Sequence, residues 1–367
     1  MKKIVYVLFA LLLVVNTQAQ EFSNGNIYLK VTNAGSTLFG SPDKQNLQIT
    51  RLSALISGNQ YQVFDYLSDA DSADTSAYSF EKPVFSDYQV QSVFDNSYSF
   101  APPAYHVQLN AFGWRTESYA ISHYKVTNID YIAYNSKFGL EVLPFIDNIY
   151  GNETVEYYKS GEYIRIYKDT LSTFVGIKLL NPPMTSLYVE DWVSGYGKSD
   201  TSLYNNLFYE SIVDTFTAAD SGSVLFPAIA ATSVAPGEGY EVYLALAVGN
   251  SFAQLDTNMT DAFLKYSELI TTDVEDEQIP LQVQLFQNYP NPFNPATTIK
   301  FTLPQKEFVE LSVYNSIGQR VEKLISKQVS AGSHSINFNA SNFASGVYFY
   351  TIKSGNYIST KKMIVLK

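Results

Sequence analysis

Short runs of alternating apolar and polar residues dominate the chain from residue 26 to residue 249. Residues 27–32 and 105–109 alternate position by position, which is typical of strands with one buried face. Residues 240–248 are almost continuously apolar, as a strand buried on both faces requires. Turn-forming residues separate the runs at intervals typical of antiparallel sandwiches, so the pattern predicts a large β-sandwich-like domain.

A helical period follows the last of these runs. Its apolar positions are Leu255, Met259, Ala262, Phe263, Tyr266, Leu269 and Ile270. This spacing predicts one helix that packs one face onto the sheets, with Asp256 or Thr257 as its N-cap. The residues after position 270 become acidic and lose the period, which predicts an exposed linker at residues 271–283.

Beyond the linker the alternation becomes sharper. The inward positions of two predicted strands are Ile299, Phe301 and Leu303 in the first and Val309, Leu311 and Val313 in the second. Turn residues such as Gly318 and Gly332 separate these strands from later ones. About six strands fit into the remaining residues, which predicts a small Greek-key β-sandwich at residues 284–367.

The complete pattern predicts an all-β protein with a central domain at residues 20–270 and a smaller C-terminal domain. Aromatic residues make up 15% of the chain and favour sheets over helices. Residues 21–280 hold 13 Lys and Arg against 32 Asp and Glu, a net charge of -19, whereas residues 281–367 hold 9 against 3, a net charge of +6. An acidic central domain repels nucleic acid and anionic membranes, so neither is an expected partner.

The first residues predict a signal peptide at residues 1–19. Lys2 and Lys3 precede an apolar run at residues 4–15, and residues 17–19 form a small-x-small cleavage signal. The run is shorter than the roughly 20 residues that span a bilayer, and we expect no transmembrane segment in the mature chain. The chain has no cysteine, which excludes disulfides, thiolate metal sites and cysteine nucleophiles.

Several short motifs occur in order along the C-terminal domain. They are NYPNPFNP at 288–295, TIKF at 298–301, VYNSIG at 313–318, SGVY at 345–348 and TKKMIVLK at 360–367. In this order and spacing they resemble the type A C-terminal sorting domain of cargo proteins of the type IX (Por) secretion system in Gram-negative, Bacteroidetes-like bacteria. The resemblance covers residues 284–367, whereas the central domain resembles no named family.

The resemblance implies a two-step export route. Sec export delivers the chain to the periplasm, and the outer-membrane translocon then moves it to the surface, where a surface signal peptidase commonly removes the sorting domain. The product is released or attached to surface lipopolysaccharide. Gly346, Tyr348, Lys361 and Lys362 occupy the family positions expected to be recognised. A structural interpretation stays open, in which the glycine serves a turn, the tyrosine packs and the lysines protect an edge strand.

The central domain contains one candidate metal site. Asp69, Asp71 and Asp74 lie at near-alternate positions of a polar loop, and their carboxylates are ligands that calcium accepts. The loop lacks the glycine and the distal glutamate of an EF-hand. A solvated loop is therefore the favoured interpretation, and we expect no cofactor, with calcium as the open alternative.

A second candidate is an aromatic platform for a glycan. Tyr188 and Trp192 flank Glu190 in one strand-like run, and aromatic rings beside a carboxylate can hold a sugar ring. Adjacent strand residues point to opposite faces, so Glu190 and Asp191 cannot serve together as the acid pair of a glycosidase. Trp192 has an alternative role in the core.

Two function classes follow for the central domain. We favour a non-catalytic surface or matrix protein that binds glycans, proteins or its own copies through an aromatic β surface. The alternative is a secreted hydrolase of polysaccharide or peptide, whose catalytic acids are scattered along the sequence. A cleft with two carboxylates about 5 to 10 Å apart would support the hydrolase, and a filled core without such a cleft would support binding.

Overall fold

The computed structural model describes residues 20–73, 76–81, 83–96, 98–192, 198–272, 283–288, 290–303, 306–330, 332–355 and 357–366. The chain divides into two compact units, with the boundary between Ile270 and Thr271. The predicted signal peptide and most of the predicted linker lie outside the described residues. Each unit is described by itself below.

The first unit consists of strands and two α-helices. The helices are α1 (Asp200–Leu207) and α2 (Phe252–Thr272), and a 3-10 turn spans Ile146–Asn148. The strands in chain order are β1 (Gln20–Ser23), β2 (Tyr28–Val31), β3 (Thr37–Gly40), β4 (Leu47–Asn59), β5 (Gln62–Phe64), β6 (Asp71–Ser72), β7 (Tyr78–Ser79), β8 (Tyr88–Asp95), β9 (Tyr105–Gly113), β10 (Tyr119–Asn128), β11 (Tyr134–Ser136), β12 (Phe138–Pro144), β13 (Thr154–Tyr158), β14 (Tyr163–Tyr167), β15 (Phe174–Asn181), β16 (Met184–Asp191), β17 (Thr215–Thr217), β18 (Ser223–Ile229), β19 (Thr232–Val234) and β20 (Gly239–Gly249).

These strands form two large antiparallel sheets. Sheet one has the order β1-β2-β3-β4-β12-β18-β16, with β5 beside β4. Sheet two has the order β17-β13-β14-β15-β20-β10-β9-β8-β6, with β7 beside β8, and β11 pairs with β19 separately. Alternate residues of both sheets fill a shared core, among them Leu52, Phe138, Tyr124 and Leu244. The predicted all-β fold is confirmed, and the runs at 27–32, 105–109 and 240–248 correspond to β2, β9 and β20.

Helix α2 packs on the outer face of sheet two, as its period predicts. Leu255, Met259, Ala262 and Tyr266 are buried against β9, β10, β14 and β20. Two details of the prediction are wrong. The helix begins one turn earlier, where Ser251 Oγ accepts the Gln254 N–H at 3.2 Å, so Ser251 caps it in place of Asp256 or Thr257. Phe263 and Ile270 lie exposed at the margins of the apolar face.

Helix α1 was not predicted, and it covers part of the outer face of sheet one. Ser199 caps its start, with Oγ accepting the Ser202 N–H at 3.4 Å. Leu203 and Leu207 pack onto the sheet beside Phe226. A two-turn helix carries only one i, i+4 apolar pair, which is too little for a period to be detected.

The second unit is a small sandwich of two antiparallel sheets. Its strands are β21 (Gln284–Leu285), β22 (Ala296–Leu303), β23 (Glu307–Asn315), β24 (Arg320–Val329), β25 (Gly332–Asn339), β26 (Gly346–Ser354) and β27 (Tyr357–Val365). The orders are β21-β22-β25 and β24-β23-β26-β27, so the chain returns from the β23–β24 hairpin to place β25 beside β22, as in a Greek key. Ile299, Phe301 and Leu303 face the core as predicted. No helix in the described part of the chain is long and apolar enough to cross a bilayer.

Candidate functional site

The first motif of the C-terminal unit covers the edge of its last strand. Phe293 N–H donates to the Ile364 carbonyl at 3.0 Å, and the Leu366 N–H donates to the Phe293 carbonyl at 2.9 Å. The Asn291 side-chain oxygen accepts the Ile364 N–H at 2.8 Å. An uncovered edge strand is a template for unwanted pairing. The motif at residues 288–295 and the motif at residues 360–367 therefore form one structural feature, although about 70 residues separate the positions that are in contact.

A buried hydrogen-bond network holds that motif in place. Asn288 is buried, and its backbone N–H donates to Tyr350 Oη at 2.7 Å. Tyr350 Oη in turn donates to the Phe286 carbonyl at 2.8 Å. The Asn288 side-chain amide donates to Thr297 Oγ1 at 2.9 Å. Burial raises the pKa of Tyr350 above its usual range, so the phenol keeps the proton that it donates.

We expect Tyr350→Phe to destabilise the second unit by about 1–3 kcal/mol, because the buried Asn288 N–H and Phe286 carbonyl both lose their partner. Hydrogen–deuterium exchange of β22 and β26 in the full chain would show the loss as faster exchange. Tyr357→Phe is the control, since Tyr357 is only partly buried and packs against the rim of the core. Equal exchange in both variants would contradict the network's role.

The predicted recognition residues divide into two groups. Gly346 begins β26 with a positive φ of 153°, a conformation that favours glycine. Tyr348 packs edge-on against Phe343 at 5.9 Å, and its hydroxyl donates to the Ala344 carbonyl at 3.1 Å. The side chains of Lys361 and Lys362 lie on β27, half-buried and exposed respectively. The glycine and the tyrosine thus have structural roles, and translocon contact by any of these residues stays a prediction.

Two carboxylates of the candidate calcium loop accept hydrogen bonds from nearby backbone N–H groups. Asp69 is buried, and its Oδ2 accepts the Asp65 N–H at 3.0 Å. Asp71 is exposed and accepts the Ser72 N–H at 2.7 Å. Asp74 lies outside the described residues. In the described ranges no three His, Asp or Glu side chains are placed to hold a metal ion, and calcium binding stays a prediction.

Burial raises the pKa of Asp69, and the nearby Asp65 and Asp200 carboxylates add to the effect, while hydrogen bonds from Ser99 and the Asp65 backbone oppose it. A carboxyl whose pKa is higher in the folded state loses folding free energy as pH rises above its unfolded pKa of 3.8. We therefore expect Asp69→Asn to melt at a higher temperature than the wild type at pH 7 and at the same temperature near pH 3. Exposed Asp71→Asn should change neither value. A lower melting temperature of Asp69→Asn at pH 7 would show that the carboxylate's hydrogen bonds outweigh desolvation.

The three candidate glycan residues lie half-buried at the end of β16. Tyr188 packs against Tyr209 at 5.1 Å, and Trp192 meets Tyr150 edge-on at 6.0 Å. Glu190 forms an ion pair with Lys198. Each of the three already has a protein partner, and contact with a glycan stays a prediction.

Two polar pairs on the outer sheet faces were not predicted. Arg51 Nε lies 3.0 Å from Glu141 Oε2 in a largely buried pair on sheet one. On sheet two, His123 stacks on Tyr243 at 4.2 Å and lies 3.2 Å from Glu241. The neighbouring His123 lowers the pKa of Glu241. His123 therefore has fixed partners within the sheet.

Two clefts of about 290 Å³ each open on the first unit. One contains Glu21 and Asp43; Glu21 accepts the Tyr28 hydroxyl at 2.7 Å, and Asp43 accepts the Gln45 N–H at 2.9 Å. The other lies between α2 and the β13–β14 hairpin and contains Asp256, Lys178 and Tyr163. Lys178 Nζ donates to the Gly161 carbonyl at 2.7 Å, and burial lowers its pKa.

In the cleft between α2 and the β13–β14 hairpin, Arg165 forms an ion pair with the lining carboxylate of Asp256. Its guanidinium lies 2.5 Å from Asp256 and 3.7 Å from Glu156. The same group lies 3.3 Å from the centre of the Tyr158 ring. This arrangement ties α2 to β14, and it keeps Asp256 in an ion pair.

The C-terminal β-sandwich, whose first motif closes the edge of its last strand, is similar to a known export-sorting domain. Residues 287–366 match the family model of the secretion system C-terminal sorting domain, and the unit belongs to the type IX class of that family. The chain is therefore a secreted cargo of the type IX system, addressed to the extracellular or cell-surface side.

Comparison with solved structures shows a shared fold over part of the chain. A bacterial glucoamylase complexed with acarbose is 12% identical with a TM-score of 0.50, and the match covers 69% of this chain and 35% of that one. A putative aldose 1-epimerase from Escherichia coli K12 is also 12% identical, with a TM-score of 0.36 over 63% of this chain and 98% of that one. This chain thus spans about a third of the glucoamylase. No curated protein matches the chain.

Proposed function

We propose that the central unit of this type IX cargo is a non-catalytic binding or structural module that works outside the cell. The match of residues 287–366 carries the export part of the proposal. On this account the chain passes through the periplasm, its C-terminal unit engages the outer-membrane translocon, and a surface signal peptidase separates the two units. The central unit is then released or held at the surface, with lipopolysaccharide as the proposed anchor.

The ion pairs that three carboxylates form within the protein support a binding role over a catalytic one. Glu141, Glu190 and Asp256 each pair with a basic side chain. These carboxylates are engaged within the protein, whereas the acid pair of a glycosidase must flank the scissile bond of the substrate. The filled core between the two sheets supports the same conclusion.

Product analysis separates this proposal from a secreted hydrolase. The mature chain, residues 20–367, is incubated with a panel of polysaccharides and peptides, and released sugars and peptides are measured by mass spectrometry. We expect no release above that of the heat-unfolded protein. Release that continues through repurification and is lost on replacing Glu21 or Asp43 with the amide would establish the hydrolase instead.

A further inference from the structure

One end of the central sandwich carries exposed aromatic side chains on four loops. These loops are the β4–β5 turn, the segment after β5, residues 98–104 and residues 129–133. The rings are Tyr61, Tyr98, Phe100 and Tyr131, with 68%, 69%, 84% and 85% of their surface exposed. Leu67, Ile129 and Ile132 are exposed on the same loops. Single exposed apolar residues are ordinary, but a group of this size at one end marks a binding surface.

Direct contacts hold the four loops together. The Gly58 backbone packs so closely on Pro103 that an added Cβ would lie 2.8 Å from the proline ring. The Ala104 N–H donates to Asp130 at 3.4 Å, which joins residues 98–104 to residues 129–133. The Asp69 carboxylate is hydrogen-bonded by Ser99, which joins the segment after β5. The loops therefore form one surface, which we call the aromatic end.

Short hydrogen bonds fix the backbone beneath the exposed side chains. They are Tyr61 N–H to Asn59 Oδ1 at 2.9 Å, Leu67 N–H to Asp65 Oδ1 at 2.7 Å, Phe100 N–H to the Asn96 carbonyl at 2.8 Å and Tyr131 N–H to Asp130 Oδ1 at 2.7 Å. Loops that are ordered before binding lose less conformational entropy when a ligand arrives. The exposed rings are thus carried by loops whose backbone is ordered before a ligand binds.

The charge of the aromatic end restricts its ligand. The described loops of the aromatic end, residues 59–70, 98–104 and 129–133, contain no Lys or Arg. The nearby carboxylates Asp65, Asp69 and Asp130 are buried and accept hydrogen bonds within the loops. Without a cation the surface gives no attraction to anionic polymers or anionic lipids. A second copy of this acidic unit would also be repelled.

The separate aromatic rings suit a glycan ligand. Among the described residues, none of the four rings contacts another aromatic ring. A separate ring suits the flat C–H face of a pyranose, which packs on the electron-rich aromatic face.

We infer that the aromatic end binds a neutral polysaccharide, whose sugar rings pack on Tyr61, Tyr98 and Tyr131. The inference rests on the proposed function, because it names the ligand class of the central unit. It moves the binding surface from the half-buried Tyr188 and Trp192 to the loops at the end of the sandwich.

Affinity electrophoresis of the mature chain tests the inference. Native gels contain mixed-linkage β-glucan, galactomannan, xylan or starch as neutral probes, and polygalacturonate or alginate as anionic ones. Cellulose and chitin are tested by sedimentation. We expect retention by at least one neutral probe and by neither anionic one. Changing all three tyrosines to alanine should raise the dissociation constant about tenfold or more, which corresponds to at least about 1.4 kcal/mol.

Two variants make the result specific. Changing the same three tyrosines to phenylalanine keeps the rings, so most of the affinity should remain. Phe263→Ala removes an exposed ring on α2, away from the loops, and should bind as the wild type does. The tyrosine variants should keep the wild-type melting temperature because the altered side chains are exposed.

The outcomes separate the inference from the proposed function. Absence of binding to every neutral probe, or retention by the anionic probes alone, overturns the inference. Neutral-probe binding that the alanine variant retains also overturns it, although the central unit would still be a binding module. Release of sugar from a bound probe overturns the proposed function itself.

Discussion

Deletion of residues 346–367 is expected to leave the protein in the periplasm. The deletion removes β26 and β27, which supply Tyr350, Ile352, Met363 and Val365 to the core of the second unit. It also opens the edge of β23 and removes the strand that Phe293 covers. The predicted signal peptide is untouched, so the first export step should proceed. Fractionation and immunoblotting, with a periplasmic enzyme as the leakage marker, would locate the product.

A milder variant separates folding of the sorting unit from its recognition. Changing Lys361 and Lys362 to alanine keeps both last strands and removes two positive charges from β27. Periplasmic retention of this folded variant would support recognition by the lysines, and normal export would support their role as edge protection. Export of the deletion variant at the wild-type level would contradict the assignment of the C-terminal unit as the export signal.

Arg51→Leu is expected to destabilise the first unit by about 3–5 kcal/mol, because it removes the guanidinium that lies 3.0 Å from a largely buried carboxylate. Only 5% of the Glu141 side chain is exposed. Replacing both Arg51 and Glu141 with leucine should recover most of the loss, since two apolar side chains need no compensation. Urea unfolding is followed by tryptophan fluorescence, which reports the first unit because Trp114 and Trp192 are the two tryptophans of the chain.

An exposed ion pair provides the matched control for the Arg51 and Glu141 variants. Arg115 lies 3.6 Å from Asp87, with 77% of its side chain exposed. Arg115→Leu should therefore change the free energy of unfolding by less than about 1 kcal/mol. A similar small effect of Arg51→Leu would show that water reaches Glu141 and that the pair is not a buried one.

The strands could be predicted because alternation is a local property. Ile299, Phe301 and Leu303 face the core as their spacing indicates. Within the apolar run at 240–248, residues 242–248 are buried in β20, whereas Tyr240 is half-buried and Glu241 is exposed. Pairing between distant segments is not encoded in any local pattern. Arg51 and Glu141 are 90 positions apart in the sequence, and they meet because β4 and β12 are neighbours in sheet one.

The candidate sites, too, could be predicted where the signal is local in sequence, but not where distant segments meet. The sorting motifs could be identified from the sequence because their order is distinctive, yet the contact of Asn291 with Ile364 becomes visible only in the fold. The aromatic end was not predicted, because the sequence does not distinguish an exposed tyrosine in a polar loop from one that folds back into the core. Tyr61 and Tyr131 are exposed, whereas Tyr134, three residues beyond Tyr131, is buried and donates to Asp130.

Transfer of the C-terminal unit to an unrelated carrier tests the central claim most directly. Residues 271–367 are fused behind a signal peptide and a fluorescent protein that folds in the periplasm, and the fusion is expressed in a host with the type IX apparatus. The account predicts fluorescence at the cell surface or in the medium, and periplasmic fluorescence for the same fusion without residues 346–367. Periplasmic retention of the complete fusion, in a host that exports its own type IX cargo normally, would contradict it.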